Sequence, residues 1–181
     1  MCSSDLQLTA QRQSKTRQVE NYFRSTADDL RLLAQTKMVA DALRDFRHGF
    51  EAIQEKDVPA EMRRTVEQWY DEHYIPTIRH LLDKDVPVST FLPKGPGAHY
   101  LQYQYIVANT QPMARRRLLN DAGDGSAYSA AHALFHPLMQ AAARIVGFYD
   151  LMIADARTGR IIYGMLKEED FGTSQIGRAH V

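Results

Sequence analysis

From Gln7 to Gln54 the chain contains no proline and a single glycine, Gly49, and it is rich in good helix formers. Apolar or small residues recur at Val19, Phe23, Thr26, Leu30 and Leu33. After a phase slip near Gln35–Lys37 they resume at Val39, Leu43, Phe46, Phe50 and Ile53. Steps of three and four predict one amphipathic helix, or two nearly collinear ones. Forty-odd helical residues span roughly 65–70 Å, longer than a small compact domain is wide. The polar start (Gln11, Arg12, Gln13, Ser14, Lys15, Arg17) has little to bury, so the segment reads as a stalk entering a domain.

Charge narrows the function classes. The 181 residues carry 22 Lys+Arg against 22 Asp+Glu, which argues against binding driven by phosphate neutralisation and against an acidic solvating tail. The single cysteine, Cys2, excludes a disulfide scaffold and a cysteine-ligated metal site. No run approaches the ~20 apolar residues needed to span a bilayer.

The two ends read as one DNA segment translated from its two strands. Met1-Cys2-Ser3-Ser4-Asp5-Leu6 back-translates to GTG TGC TCT TCC GAT CTN, and the reverse complement of that segment encodes Gln-Ile-Gly-Arg-Ala-His, as at residues 175–180. The segment matches a common sequencing-library adapter, which continues into Val and a stop. Residues 1–6 and 175–181 are therefore set aside from functional reasoning. Cys2, Arg178 and His180 carry no functional expectation, and the native reading frame is expected to run on beyond both ends.

Within residues 7–97, Asp57-Val58-Pro59 restarts a helix with its apolar face at Val66, Trp69, Tyr70, Tyr74, Ile78 and Leu81. Pro76 should kink or divide it. Residues 83–97 hold Pro87, Pro93, Gly95, Pro96 and Gly97 and read as a turn-rich excursion. Within residues 98–174, a short aromatic helix over 98–109 precedes a loop of Asp121, Gly123, Asp124 and Gly125. Ser126 is the expected N-cap of a helix with an apolar stripe at Tyr128, Ala131, Phe135, Leu138, Ala142 and Ile145, ended by Gly147. The period then changes. Residues 148–154 read as a buried strand, Asp155–Gly159 as a turn and Arg160–Met165 as the returning strand.

Three constellations could carry chemistry. His132 and His136 stand four apart, a spacing that lets two imidazoles share a metal, with His99, Asp124 or Asp150 as a possible third ligand. No acid lies between them, so the zinc-hydrolase motif is absent. The alternatives are ligand contact, or a structural role on the polar edge of the helix or capping backbone groups. Tyr100, Tyr103 and Tyr105 with Gln102, Gln104 and Asn109 form a dense aromatic and polar cluster. Tyr103 falls off the Leu101–Tyr105 stripe, so its hydroxyl either faces a pocket or packs in the core. Lys167-Glu168-Glu169-Asp170 is either a solvated charge run or a pocket rim in which Lys167 and Asp170 meet a zwitterionic or anionic ligand. Arg115-Arg116-Arg117 lacks the interleaved aromatics of a nucleic-acid patch. No phosphate loop, nucleophile elbow, dinucleotide fingerprint or triad is present, so no catalysis and no cofactor are expected.

Taken together, several motifs resemble the Cache-like extracytoplasmic sensor regions of bacterial transmembrane receptors, of the methyl-accepting chemotaxis type. They are Val19-Glu20-Asn21-Tyr22-Phe23 and Leu32-Leu33-Ala34, then Leu101 to Ile106 with Asn109, then Tyr128 with His132 and His136-Pro137. The most specific are Gly147-Phe148-Tyr149-Asp150-Leu151-Met152-Ile153, Thr158 to Tyr163, and Lys167 to Thr173. The resemblance covers residues 15–174. It implies an α+β, mostly helical fold: a long stalk helix and helical bundle leading into the first hairpin of a truncated PAS/Cache-like sheet. It also implies a periplasmic sensor anchored in the inner membrane through flanking helices, homodimeric, binding a small molecule and passing a helix displacement to an output module. Histidine kinases and nucleotide cyclases carry related sensors. The implied ligand-facing residues are Tyr103, Asn109, His132, His136, Tyr149, Asp150, Lys167 and Asp170.

Overall fold

The computed structural model describes residues 3–174. The expectations placed on Cys2 and on residues 175–181 lie outside the described residues. The fold is mostly helical with one small antiparallel sheet near the C-terminal end, the α+β class expected. The chain divides into two compact units, Met1–Ala40 and Asp41–Val181.

In the first unit, α1 (Ser3–Ala34) is followed by the opening turn of α2 (Lys37–Gln54). The interruption at Gln35–Thr36 falls on the phase slip. Thr36 organises it: its hydroxyl donates to Leu33 O at 2.7 Å and accepts from Val39 N at 3.3 Å. The apolar residues Val19, Tyr22, Phe23 and Leu30 on α1 are exposed. No helix among the described residues is long and apolar enough to cross a membrane.

In the second unit, α2 buries Ala42, Phe46, Gly49, Phe50 and Ile53. α3 (Ala60–Trp69) runs through a π-helical turn, Tyr70–Tyr74, into α4 (Ile75–Leu82). The division expected from Pro76 is thus made by a widened turn just before it, with Pro76 itself in the first turn of α4. α5 (Pro96–Gln102) also passes into a π-helical turn, Tyr103–Val107, where Ala108 N bonds Tyr103 O at 2.7 Å. A 3-10 turn, Met113–Leu118, precedes α6 (Ala127–Val146). Ser126 caps α6 by accepting from Ser129 N at 3.0 Å, and Gly147 closes it at φ 83°.

The stripe of α6 is rotated from the expected one. Leu138 and Ile145 are exposed, at 45% and 85%, while His132, His136, Met139 and Ala143 are buried beside Tyr128, Ala131 and Phe135. Counting the histidines as polar placed them on the wrong face. Their ring nitrogens cap main-chain carbonyls, which lets the rings lie inside.

β1 (Met152–Asp155) and β2 (Arg160–Gly164) pair antiparallel, with a bulge that leaves Ile162 out of the register. The expected first strand begins four residues too early, because 148–151 is not sheet. The Ile162 carbonyl accepts from the buried Tyr128 hydroxyl at 2.7 Å, so the bulge ties the hairpin to α6. The Asp155–Gly159 turn forms as expected. Asp155 accepts from Arg157 N at 2.7 Å and pairs with Arg47 of α2 at 2.8 Å. On the other side of β2, Gly172 N and Thr173 O bond Ile161. Phe46 sits where these elements meet, its ring centroid 4.9 Å from that of Tyr163 and 5.3 Å from that of Tyr128.

Candidate functional site

α6 carries a polar ridge at four-residue steps: His132, His136, Gln140 and Arg144. Each step overshoots one helical turn by about 40°, so the ridge winds outward. Both histidines are fully buried, Gln140 is half-buried and Arg144 is exposed.

At the inner end, His132 Nδ1 lies 2.6 Å from Asn120 O. A carbonyl only accepts, so Nδ1 holds the proton and Nε2 keeps a lone pair, which is buried without a hydrogen-bond partner. His136 stacks on His132 with centroids 4.3 Å apart. Its Nε2 lies 2.6 Å from Arg117 O and donates to it, leaving Nδ1 to accept from Tyr163 Oη at 2.8 Å. Gln140 donates its amide to the same Arg117 carbonyl.

Lys167 completes the cluster. It is wholly buried, its backbone is left-handed at φ 59°, and Nζ lies 3.1 Å from His136 Nε2 and 3.4 Å from Met165 O. A non-glycine residue in that region costs about 1–2 kcal/mol, so its surroundings hold it there. Burial pulls the Lys167 ammonium down to about 7, partly opposed by Asp150. Burial, with repulsion from Lys167, lowers His136 to about 4 and His132 well below its ordinary value. Burial thus disfavours the charged form of all three groups, and Lys167 Nζ donates to Met165 O, since the one N–H at His136 Nε2 is given to the Arg117 carbonyl.

At the outer end of the ridge a cleft of about 320 Å³ opens. Arg117 and Leu118 of the 3-10 turn line one side, and Gln140, Ala143 and Arg144 of α6 another. Phe148, Tyr149 and Met165 complete it. Gln140 and Met165 thus belong to both cleft wall and buried cluster, since the Met165 carbonyl faces Lys167.

The expected ligand-facing residues do not converge on one place. His132, His136 and Lys167 meet in the buried cluster, and Tyr149 lies on the cleft at 81% exposure. Asp150 works as a local brace, its Oδ1 accepting from Leu151 N at 2.7 Å and Leu166 N at 3.2 Å. Tyr103, Asn109 and Asp170 are outside the cleft lining. Asn109 closes the aromatic helix by donating to Tyr105 O and Arg116 O and accepting from Gln111 N. The Asp170 carbonyl accepts from Thr173 N at 2.9 Å and from the Thr173 hydroxyl. Neither Lys167 nor Asp170 is among the residues that line the cleft.

Arg117, Gln140, Arg144, Phe148 and Tyr163 were missed from sequence. The four-residue polar ridge on α6 was the available signal for two of them. No group of three metal-ligating side chains is assembled among the described residues, and each histidine gives one ring nitrogen to a main-chain carbonyl. No protein-family model matches this chain, and no curated protein or solved structure is significantly similar to it.

Proposed function

We propose that this chain is a ligand-binding module without catalytic chemistry of its own. More specifically, it is the extracytoplasmic sensing portion of a bacterial transmembrane receptor of the chemoreceptor type. One observation supports it most directly: a ligand-sized cleft whose wall residues also touch a buried His–Lys–Tyr cluster. Pockets of this volume suit small metabolites. A ligand seated there touches α6, the 3-10 turn and the residue following β2 together, so its binding energy can shift one helix against the hairpin. The resemblance of the hairpin and the Lys167–Thr173 segment to Cache-like sensors supplies the receptor context, with an inner-membrane anchor and output module as parts of the intact receptor. Thermal-shift screening of the whole chain against anionic, zwitterionic, neutral and cationic metabolites tests the reading. At least one class should raise the melting temperature in a concentration-dependent way; no response from any class removes it.

The intact receptor is proposed to be a homodimer through α1. Val19, Phe23 and Leu30 are exposed at steps of four and seven residues along that helix, the spacing of a helix–helix seam. Sedimentation of the whole chain should show a concentration-dependent dimer that Phe23→Glu abolishes. A monomer at high concentration counts against it.

A further inference from the structure

We propose that the cleft selects an organic carboxylate with an apolar body, held by Arg117 and Arg144. This rests on the ligand-binding reading above and names the chemistry of its ligand.

The arginine triplet is divided by its 3-10 geometry, in which successive residues point about 120° apart. Arg116 turns inward, where it is buried, lies 4.7 Å over the Trp69 ring and pairs with Glu169 at 3.3 Å. Arg117 turns to the cleft, with its carbonyl held by His136 and Gln140. Arg144 reaches the same cleft from the last turn of α6.

Neither cleft arginine has a carboxylate partner among the described residues, whereas Arg47, Arg116 and Arg157 are each paired. Among the described residues, no acidic side chain lines the cleft. Two guanidinium groups on a wall with no opposing charge favour an anion, and their planar forks match the paired oxygens of a carboxylate. Beside the Gln140 amide, the rest of the wall carries the apolar side chains of Leu118, Ala143, Phe148 and Met165 and the Tyr149 ring. A fully hydrated inorganic anion leaves that surface wet, whereas an aryl or branched alkyl acid covers it while its head group meets the arginines. Exposure of both arginines adds a further expectation, that affinity falls as salt is raised.

Benzoate and its neutral isostere benzamide separate the charge from the shape. Isothermal titration of the whole chain should show benzoate binding at least roughly tenfold more tightly than benzamide. Arg117→Gln and Arg144→Gln should each weaken benzoate by roughly fivefold or more. Arg144→Lys should recover only part of that loss, because the charge returns without the fork. Both positions are exposed, and melting temperatures unchanged by the substitutions establish that folding is not the cause. Equal binding of benzoate and benzamide overturns the inference, as does a double Arg→Gln variant that binds benzoate like the parent. If the metabolite screen yields only neutral or cationic ligands, this assignment fails while the ligand-binding reading stands. If no class binds, both fail.

Discussion

Gly49→Ala is expected to destabilise the Asp41–Val181 unit by about 3 kcal/mol, the upper range for overpacking. In an open helix the same change is stabilising by about 0.5–1 kcal/mol, because alanine loses less backbone freedom on folding. The sign reverses here because α2 and α6 touch at this point. A methyl group on Gly49 falls 2.6 Å from Tyr128 Cα and 2.7 Å from Tyr128 N. Those are backbone atoms at the start of a helix, so no rotamer change relieves the clash. The helices must separate, and separation strains the Tyr128 hydroxyl bond to Ile162 O that anchors the hairpin bulge. Urea unfolding followed by circular dichroism should give a lower midpoint with an unchanged slope. A midpoint equal to or above that of the parent chain refutes the close approach.

That contact shows what could be read from the sequence and what could not. Punctuation was legible: the phase slip at Gln35–Lys37, the Ser126 cap, the Gly147 stop and the Asp155–Gly159 turn all rest on local backbone chemistry. Gly49 was visible only as a lone glycine in a helix, since the reason for it lies 79 positions away at Tyr128. The two π-helical turns have no local signature here, and they appear where α3 and α5 pack. The early start given to the first strand came from treating Phe148 and Tyr149 as core, when both line the cleft.

The candidate site was half legible for a related reason. Polarity scales price histidine and lysine as surface residues, and the sequence does not reveal that the carbonyls of Arg117, Asn120 and Met165 would be waiting for them. Once His132 and His136 are placed inside, the α6 stripe rotates and carries Gln140 and Arg144 round to the cleft. Arg117 could not be told from Arg115 and Arg116 without knowing that the turn is 3-10.

The buried cluster is expected to give the fold an alkaline stability optimum, and the sign follows from which state holds the protons. Lys167 titrates near 7 in the folded chain against 10.5 when unfolded. Between those values the unfolded chain keeps a proton that the folded chain has released, so stability rises with pH across that window. His136, lowered to about 4 from 6.5, acts in the same direction between those two values, and His132 adds to it. Above pH 10 the direction turns. Burial raises Tyr100 to about 12 and raises Tyr105, Tyr128 and Tyr163 as well, so the folded chain then retains protons the unfolded chain loses. Stability should therefore climb from about pH 4 and peak near pH 9–10, with a slope approaching about 1.4 kcal/mol per pH unit for each proton displaced. Most proteins peak between about pH 5 and 8. Lys167→Met isolates the lysine: it keeps the left-handed backbone and most of the volume but removes the group that must be buried charged below pH 7. At pH 6 the variant should be more stable than the parent by about 1–4 kcal/mol, and the two should converge as pH approaches 10. Urea unfolding of both proteins at pH 6, 7.5 and 9 measures this. A parent curve that is flat or falling from pH 7.5 to 9, or a variant less stable at pH 6, means that Lys167 is charged and compensated inside the fold.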